Sequence, residues 1–141
     1  MASTRKRILF LCTGNAARSQ LAEDLARANH GDEVEVVSAG SRAAGWVHPM
    51  AIRAMAEVGV DISDAQSKSA APFLEQEFDA VVTVCDSAAE DCPNWPGAKR
   101  IEHWPIEDPS FMGGADGMQR FRETRDDLAR RIDELVNGLT G

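Results

Sequence analysis

Cys12 and Arg18 stand at the two ends of "CTGNAAR", with Thr13, Gly14, Asn15, Ala16 and Ala17 between them. The intervening residues are small or polar, so such a loop offers its ligand mainly backbone N–H groups. A thiol at one end and a guanidinium at the other suit nucleophilic attack on an oxyanion. The thiolate is the nucleophile, and the arginine fork matches the oxygens of a tetrahedral anion. A cysteine at a helix N-terminus beside a cation falls from about 8.5 to roughly 4–7 in pKa, which makes it reactive at neutral pH. Ser19 is placed to donate a hydrogen bond to that thiolate, and Gly14 is expected to supply the unusual dihedrals of the cradle. The plain alternative is that Cys12 is a small buried hydrophobe at a strand end.

Two further thiols, Cys85 and Cys92, lie seven residues apart in "VVTVCDSAAEDCPNWPG". Zinc does not suit them. The spacing is not that of a Cys-x2-Cys site, and His30, His48 and His103 provide no evident fourth soft ligand. Read blandly, Cys85 is a core thiol and Cys92 an exposed one. Read with an activated Cys12, the three form a thiol relay. If residues 86–91 begin a helix, Cys85 and Cys92 stand roughly 10 Å apart. A disulfide needs Cα atoms within roughly 7 Å, so closing that bond requires the segment to change shape.

The surrounding pattern positions these groups. "RILFLC" (Arg7 to Cys12) is a continuous apolar run expected of a strand buried on both faces. Ser19 to Asn29 follows with apolar residues at helical spacing. Val34 to Gly40 is a second strand, and His48 to Gly59 a helix with Pro49 near its start and Gly59 at its end. Asp79 to Cys85 and Lys99 to Trp104 read as the third and fourth strands. A closing helix, Asp116 to Leu139, carries Phe121, Leu128, Ile132, Leu135 and Leu139 on one stripe. This alternation predicts an α/β fold of three layers, a four-stranded parallel sheet with helices on both faces. Ligands then bind beyond the carboxyl ends of the strands, where Cys12 and Cys85 sit.

The 141 residues predict a single domain, 1–141. The formal net charge of -8 disfavours nucleic acid and anionic membranes as partners. A small anion must therefore be captured locally, against the global field. "MASTRKR" is basic, but the "ILFLC" that follows is too short for a signal-peptide core. The expectation is a cytoplasmic monomer in which an odd number of cysteines is reactive rather than structural.

"CTGNAARSQLAE" resembles the phosphate-binding loop and first helix of the low-molecular-weight protein tyrosine phosphatases. That resemblance implies a general acid in a late Asp-Pro pair, here Asp108 and Pro109 of "IEDPSF". By itself Asp108 is only a turn residue before proline. The tyrosines that usually follow the pair are missing, since the chain has no tyrosine, and "DPSFMGGADG" suggests a small inorganic substrate instead. With "VVTVCDSAAEDCP" and "EHWPIEDP" included, nearly the whole chain resembles the thioredoxin-coupled arsenate reductases, which share the phosphatase fold.

This second resemblance implies reduction of arsenate to arsenite without a cofactor. Cys12 is then the nucleophile, Cys85 and Cys92 the disulfide shuttle, and Asp108 the proton donor. Arg18 and the amides of residues 13–17 hold the oxyanion. Thioredoxin is the implied reductant; a glutaredoxin–glutathione or a mycothiol system is open. Ala16 and Ala17 replace a Ser and a Cys common in relatives. Some members bind potassium through an Asn, a Glu, a Ser and an Asp. Asn15, Glu23 and Ser38 match the first three, but Lys68 stands at the fourth position and is expected to replace the ion. The competing readings are a phosphatase acting on phosphotyrosine or a small phosphate ester, and a redox-sensing or oxyanion-binding module without turnover.

Overall fold

The computed structural model describes residues 5–84, 95–107, 109 and 114–140. Strand β1 (Lys6–Cys12) leads to helix α1 (Arg18–His30), strand β2 (Val34–Gly40) and helix α2 (Pro49–Ala56). A 3-10 turn (Ala71–Phe73), strand β3 (Ala80–Thr83), strand β4 (Ile101–His103) and helix α3 (Gly114–Thr140) follow. The four strands form one parallel sheet in the order β2-β1-β3-β4. Ile8, Leu9, Phe10 and Leu11 are all fully buried. Side chains alternate sides along a strand, so both faces of β1 are covered, as its continuous apolar run predicts.

This order places β1 at the centre, with β2 on one flank and β3 on the other. The chain reverses direction across the sheet there, and a crevice opens beyond the carboxyl ends of β1 and β3. Cys12 closes β1 at that crevice. On the next strand Val84 follows β3 and donates its N–H to the carbonyl of Leu11 at 2.8 Å.

Apolar spacing explains the helices. On α3 Phe121, Leu128, Ile132, Leu135 and Val136 are buried against the core. Arg125 interrupts that stripe and is itself buried. Its guanidinium donates to the carbonyl of Ala54 at 2.9 Å and meets Glu57 at 3.0 Å, which ties α3 to the end of α2. With Arg122 on the same carboxylate, Glu57 is held down to about 2 in pKa.

Gly59 ends the α2 turn as expected. It sits at φ 81, with Val60 N–H bonded to Met55 O and Gly59 N–H to Ala56 O, a pair of bonds that requires a left-handed residue. Strand β2 has the expected bounds and β1 starts one residue earlier, while β3 and β4 are shorter than the sequence suggests. Asp79 lies outside β3 because its carboxylate takes the backbone N–H of Arg7 at 2.8 Å. Lys99 and Arg100 precede β4, while Trp104 continues the ladder with one bond to Thr83 O.

Candidate active site

The loop after β1 is shaped by where its carbonyls go. Cys12 O accepts from Ser41 N–H at 3.3 Å, Thr13 O from Arg42 at 2.9 Å and Gly14 O from Ala44 at 2.8 Å. Ala16 O accepts from His48 N–H at 2.8 Å, and Ala17 O from Leu21 within the first turn of α1. Asn15 O takes the side-chain amide of Gln20 at 3.1 Å. Every carbonyl from 12 to 17 is thus bonded outward, and a loop with its carbonyls outside turns its N–H groups inward, the geometry of an anion nest. Helix α1 opens at the same place. Its N-cap, Ala17, provides no side-chain hydrogen bond, and no acidic residue lies in the first turn, so the positive end of the dipole faces the nest.

One residue carries the backbone strain of this turn, and it is not Gly14. Asn15 has φ 49, the one non-glycine residue with positive φ among those described. The Gly14 expectation is therefore corrected: a Cβ there meets only ordinary contacts with Ala44 and Ala16. Asparagine accepts the left-handed region when its side chain is held locally, and here it is fully buried and held on both ends. Its Nδ2 donates to Ser19 Oγ at 2.8 Å and to Ser38 Oγ at 2.9 Å. Its Oδ1 accepts from Lys68 N–H at 2.7 Å and from Gln20 Nε2 at 3.0 Å. The glycine the turn does need is Gly40, at the end of β2. A Cβ there would stand 2.6 Å from Thr13 O and 3.1 Å from Asn15 N.

Cys12 is buried and lies at the floor of a cavity of about 140 Å³, walled by Gly14, Ala16, Ala17, Arg18, Trp46 and His48. That is well below the roughly 300–1,000 Å³ of sites for drug-sized ligands, so the space suits a small ion. Arg18 Nη1 donates to the carbonyl of Ile106 at 2.9 Å. This bond brings the segment just before Asp108 to the site.

Beneath the loop two buried carboxyls, Glu23 and Asp24, meet the more exposed cations Lys68 and Arg27. Ser38 Oγ donates to Glu23 Oε1 at 2.7 Å, and Lys68 Nζ stands 3.3 Å from the same oxygen. Arg27 pairs with Glu23 Oε2 at 2.8 Å and with Asp24 Oδ1 at 3.3 Å. Burial pushes the Asp24 carboxyl up to about 6, the charge of Glu23 adds to the rise, and Arg27 and Lys68 oppose it.

Residues 7–140 match the family model described as low molecular weight phosphotyrosine protein phosphatase. An arsenate reductase of Halalkalibacterium halodurans is 45% identical over 130 residues, covering 91% of this chain and 93% of that protein. The solved structure "An arsenate reductase in the phosphate binding state" superposes with a TM-score of 0.83 at 32% identity, covering 94% of this chain and 98% of its own. The thioredoxin-dependent arsenate reductase of Corynebacterium glutamicum gives 0.76 at 33% identity, covering 98% of this chain and 63% of that one.

The chain belongs to the arsenate reductase branch of that phosphatase family. Within this arsenate reductase framework the structure brings together Cys12, the amides of Thr13 to Ala17, Arg18 and Ser19. Cys85, Cys92 and Asp108 lie outside the described residues, as does the 86–91 segment expected to change shape. Sequence reasoning missed Trp46 and His48 as walls of the pocket. Trp46 is 53% exposed, and its ring stacks on His48, which stacks in turn on Phe121. His48 Nδ1 also accepts the N–H of Met50 and so caps α2. The position before Pro49 was a legible signal for a cap; nothing in the sequence pointed Trp46 at the pocket. His103 and Trp104, read as packing, differ from one another. Trp104 is buried against Phe10, while His103 is exposed and bonds to Thr83 Oγ1 at 2.8 Å. Among the described residues no helix is long and apolar enough to cross a membrane.

Proposed function

We propose that the protein reduces arsenate to arsenite with three thiols and no cofactor. The observation that carries this reading is the juxtaposition at the sheet's centre. The outward-bonded loop offers its amides and Arg18 around Cys12, while Val84 is bonded to Leu11 on the adjacent strand, one residue before Cys85.

The Cys12 thiolate attacks arsenic, and an As–O bond breaks as Asp108 gives its proton to the departing oxygen, which leaves as water. The Cys85 thiolate then attacks the Cys12 sulfur. An S–S bond forms, the S–As bond breaks, and its electron pair stays on arsenic, which goes from the +5 to the +3 state and departs as arsenite. Cys92 attacks Cys85 and frees Cys12, moving the disulfide outward to an external dithiol such as thioredoxin. The two electrons come from two thiols. The loop amides and Arg18 hold the oxyanion throughout, and the dipole of α1 favours both its charge and that of the thiolate.

The same Cys12, Arg18 and Asp108 would attack a phosphate ester, and hydrolysis of an activated aryl phosphate is expected as a side activity. One experiment separates the two uses. With thioredoxin, its reductase and NADPH, arsenate should drive NADPH oxidation in the wild type. Cys12→Ser should lose both activities, and Cys85→Ala should lose arsenate turnover while still hydrolysing the aryl phosphate. If no thiol donor supports arsenate-dependent oxidation, the proposal fails. A redox sensor would bind the oxyanion with the same loop but show no turnover in this assay.

A further inference from the structure

The resemblance to arsenate reductases implies, for some members, an alkali cation held by oxygens of an Asn, a Glu, a Ser and an Asp. Asn15, Glu23 and Ser38 lie together here, but the fourth position is Lys68. Its ammonium stands 3.3 Å from Glu23 Oε1 and donates to Gln66 O at 3.1 Å. A donor that carries the ion's own charge and bonds to one of the ion's oxygens does not fit beside a potassium ion. We propose that Lys68 is a cation built into the chain, a positioning residue that holds the loop around Cys12 in working order and makes the protein indifferent to potassium. This rests on the function proposed above only for its activity readout.

An ionised carboxylate only accepts, so Ser38 must spend its hydroxyl proton on Glu23. Ser38 Oγ is then the acceptor for Asn15 Nδ2. The second proton of that amide goes to Ser19 Oγ, so Ser19 also accepts. The hydroxyl proton of Ser19 is thereby left for another acceptor, and the Cys12 thiolate is the one the chemistry needs. The Glu23 charge therefore orders the chain of bonds that ends at Ser19.

Two carboxyls crowd this spot. Glu23 and Asp24 are adjacent, both are under 10% exposed, and Asp24 Oδ2 has no hydrogen-bond partner among the described residues. Arg27 is shared between the two carboxyls. Lys68 provides the second positive charge, and its backbone N–H holds Asn15 in its left-handed conformation. One residue thus supports the strained turn from two sides.

The test compares wild type with Lys68→Met, Lys68→Arg and Lys68→Asp in potassium and sodium chloride at equal ionic strength. Thermal stability and the rate of Cys12 alkylation at neutral pH are read without arsenate, in a background where Cys85 and Cys92 are alanine. Arsenate turnover is read separately with all three thiols present, so a failed proposal of function leaves the first two readouts intact. The wild type should respond equally to the two salts, and Lys68→Arg should stay close to it. Lys68→Met should alkylate roughly two- to fivefold more slowly in both salts, the span for one fixed charge near a reacting group. Lys68→Asp, which restores four oxygen ligands, should be slow and less stable in sodium and recover in potassium. A potassium-specific gain in stability or turnover of the wild type overturns the proposal. So does a Lys68→Met protein that matches the wild type in alkylation and stability. Should the Met and Asp variants fail to fold, the wild-type salt comparison still decides.

Discussion

Asp24 is a buried carboxylate that works against folding at neutral pH, and replacing it with asparagine measures by how much. Burial and the neighbouring Glu23 raise its pKa from 3.8 to about 6. A shift of about 2 units at 1.36 kcal/mol per unit is a penalty of up to about 3 kcal/mol once the group is ionised in both folded and unfolded states. The folded state holds this proton more tightly than the unfolded chain does. The penalty is therefore absent below the unfolded value and grows as pH rises through the folded one. Between about pH 4.5 and about pH 7.5 it increases by about 2 kcal/mol. Asparagine keeps an oxygen for Arg27 but puts an N–H2 where Oδ2 has no partner among the described residues, which costs about 1–3 kcal/mol at either pH. The informative quantity is thus the difference between the two pH values, not the effect at one. Glu57, Asp61 and Asp79 are held below their ordinary values and titrate in the opposite sense, but they do so in both proteins and cancel. Urea unfolding of reduced wild type and Asp24→Asn, followed by tryptophan fluorescence, should show the variant gaining about 2 kcal/mol on the wild type between the acid and the neutral condition. A stability difference that stays constant within about 0.5 kcal/mol across that range would refute the assignment of a raised pKa to Asp24.

Gly40→Ala should destabilise the fold by roughly 1–3 kcal/mol in thermal unfolding, because its Cβ meets the Thr13 carbonyl at 2.6 Å and neither backbone can retreat. It should also slow Cys12 alkylation, since the clash displaces the loop; unchanged alkylation would mean that the loop shifts without consequence. Arg18→Lys should lower turnover of arsenate and aryl phosphate alike by roughly 10²-fold, because an ammonium cannot reproduce the fork, and steady-state kinetics on both substrates checks it. Hydrogen exchange of residues 86–95 should differ between reduced and oxidised protein, with the Cys85–Cys92 bond confirmed by mass spectrometry. Equal protection in both states would remove the shape change from the relay.

The parts of the site that follow from local chemistry were legible in the sequence. The apolar run to Cys12, the small residues of the loop and the helical spacing after Arg18 are enough to place a nest at the head of α1. The Asn15, Glu23, Ser38 and Lys68 cluster was legible only because a family pattern aligned residues separated by up to 53 positions in the chain. Gly14 misled, because composition shows that some residue in the loop must take an unusual dihedral but not which one. Asn15 takes it because four hydrogen bonds to its side chain offset the strain. Trp46 and His48 were invisible as pocket walls for a related reason. Their position depends on backbone bonds between residues 41–48 and the loop, and main-chain pairing leaves no mark on residue type.

That main-chain pairing also decides what kind of change this protein can survive. The loop's outer shell is made from backbone N–H groups of Ser41, Arg42, Ala44 and His48, and its inner surface from its own amides. Neither depends on the identity of most side chains, so substitutions at Ser41, Arg42 and Ala43 can accumulate with little effect on anion capture, whereas Gly45, at φ 87, and the pocket walls Ala16, Ala17 and Trp46 are constrained. Length is different. Removing or adding one residue between Gly40 and His48 slides every donor past its carbonyl and turns the loop's polarity inside out. Lineages descended from this chain should therefore vary in the letters of residues 41–43 while the spacing of the whole stretch stays fixed.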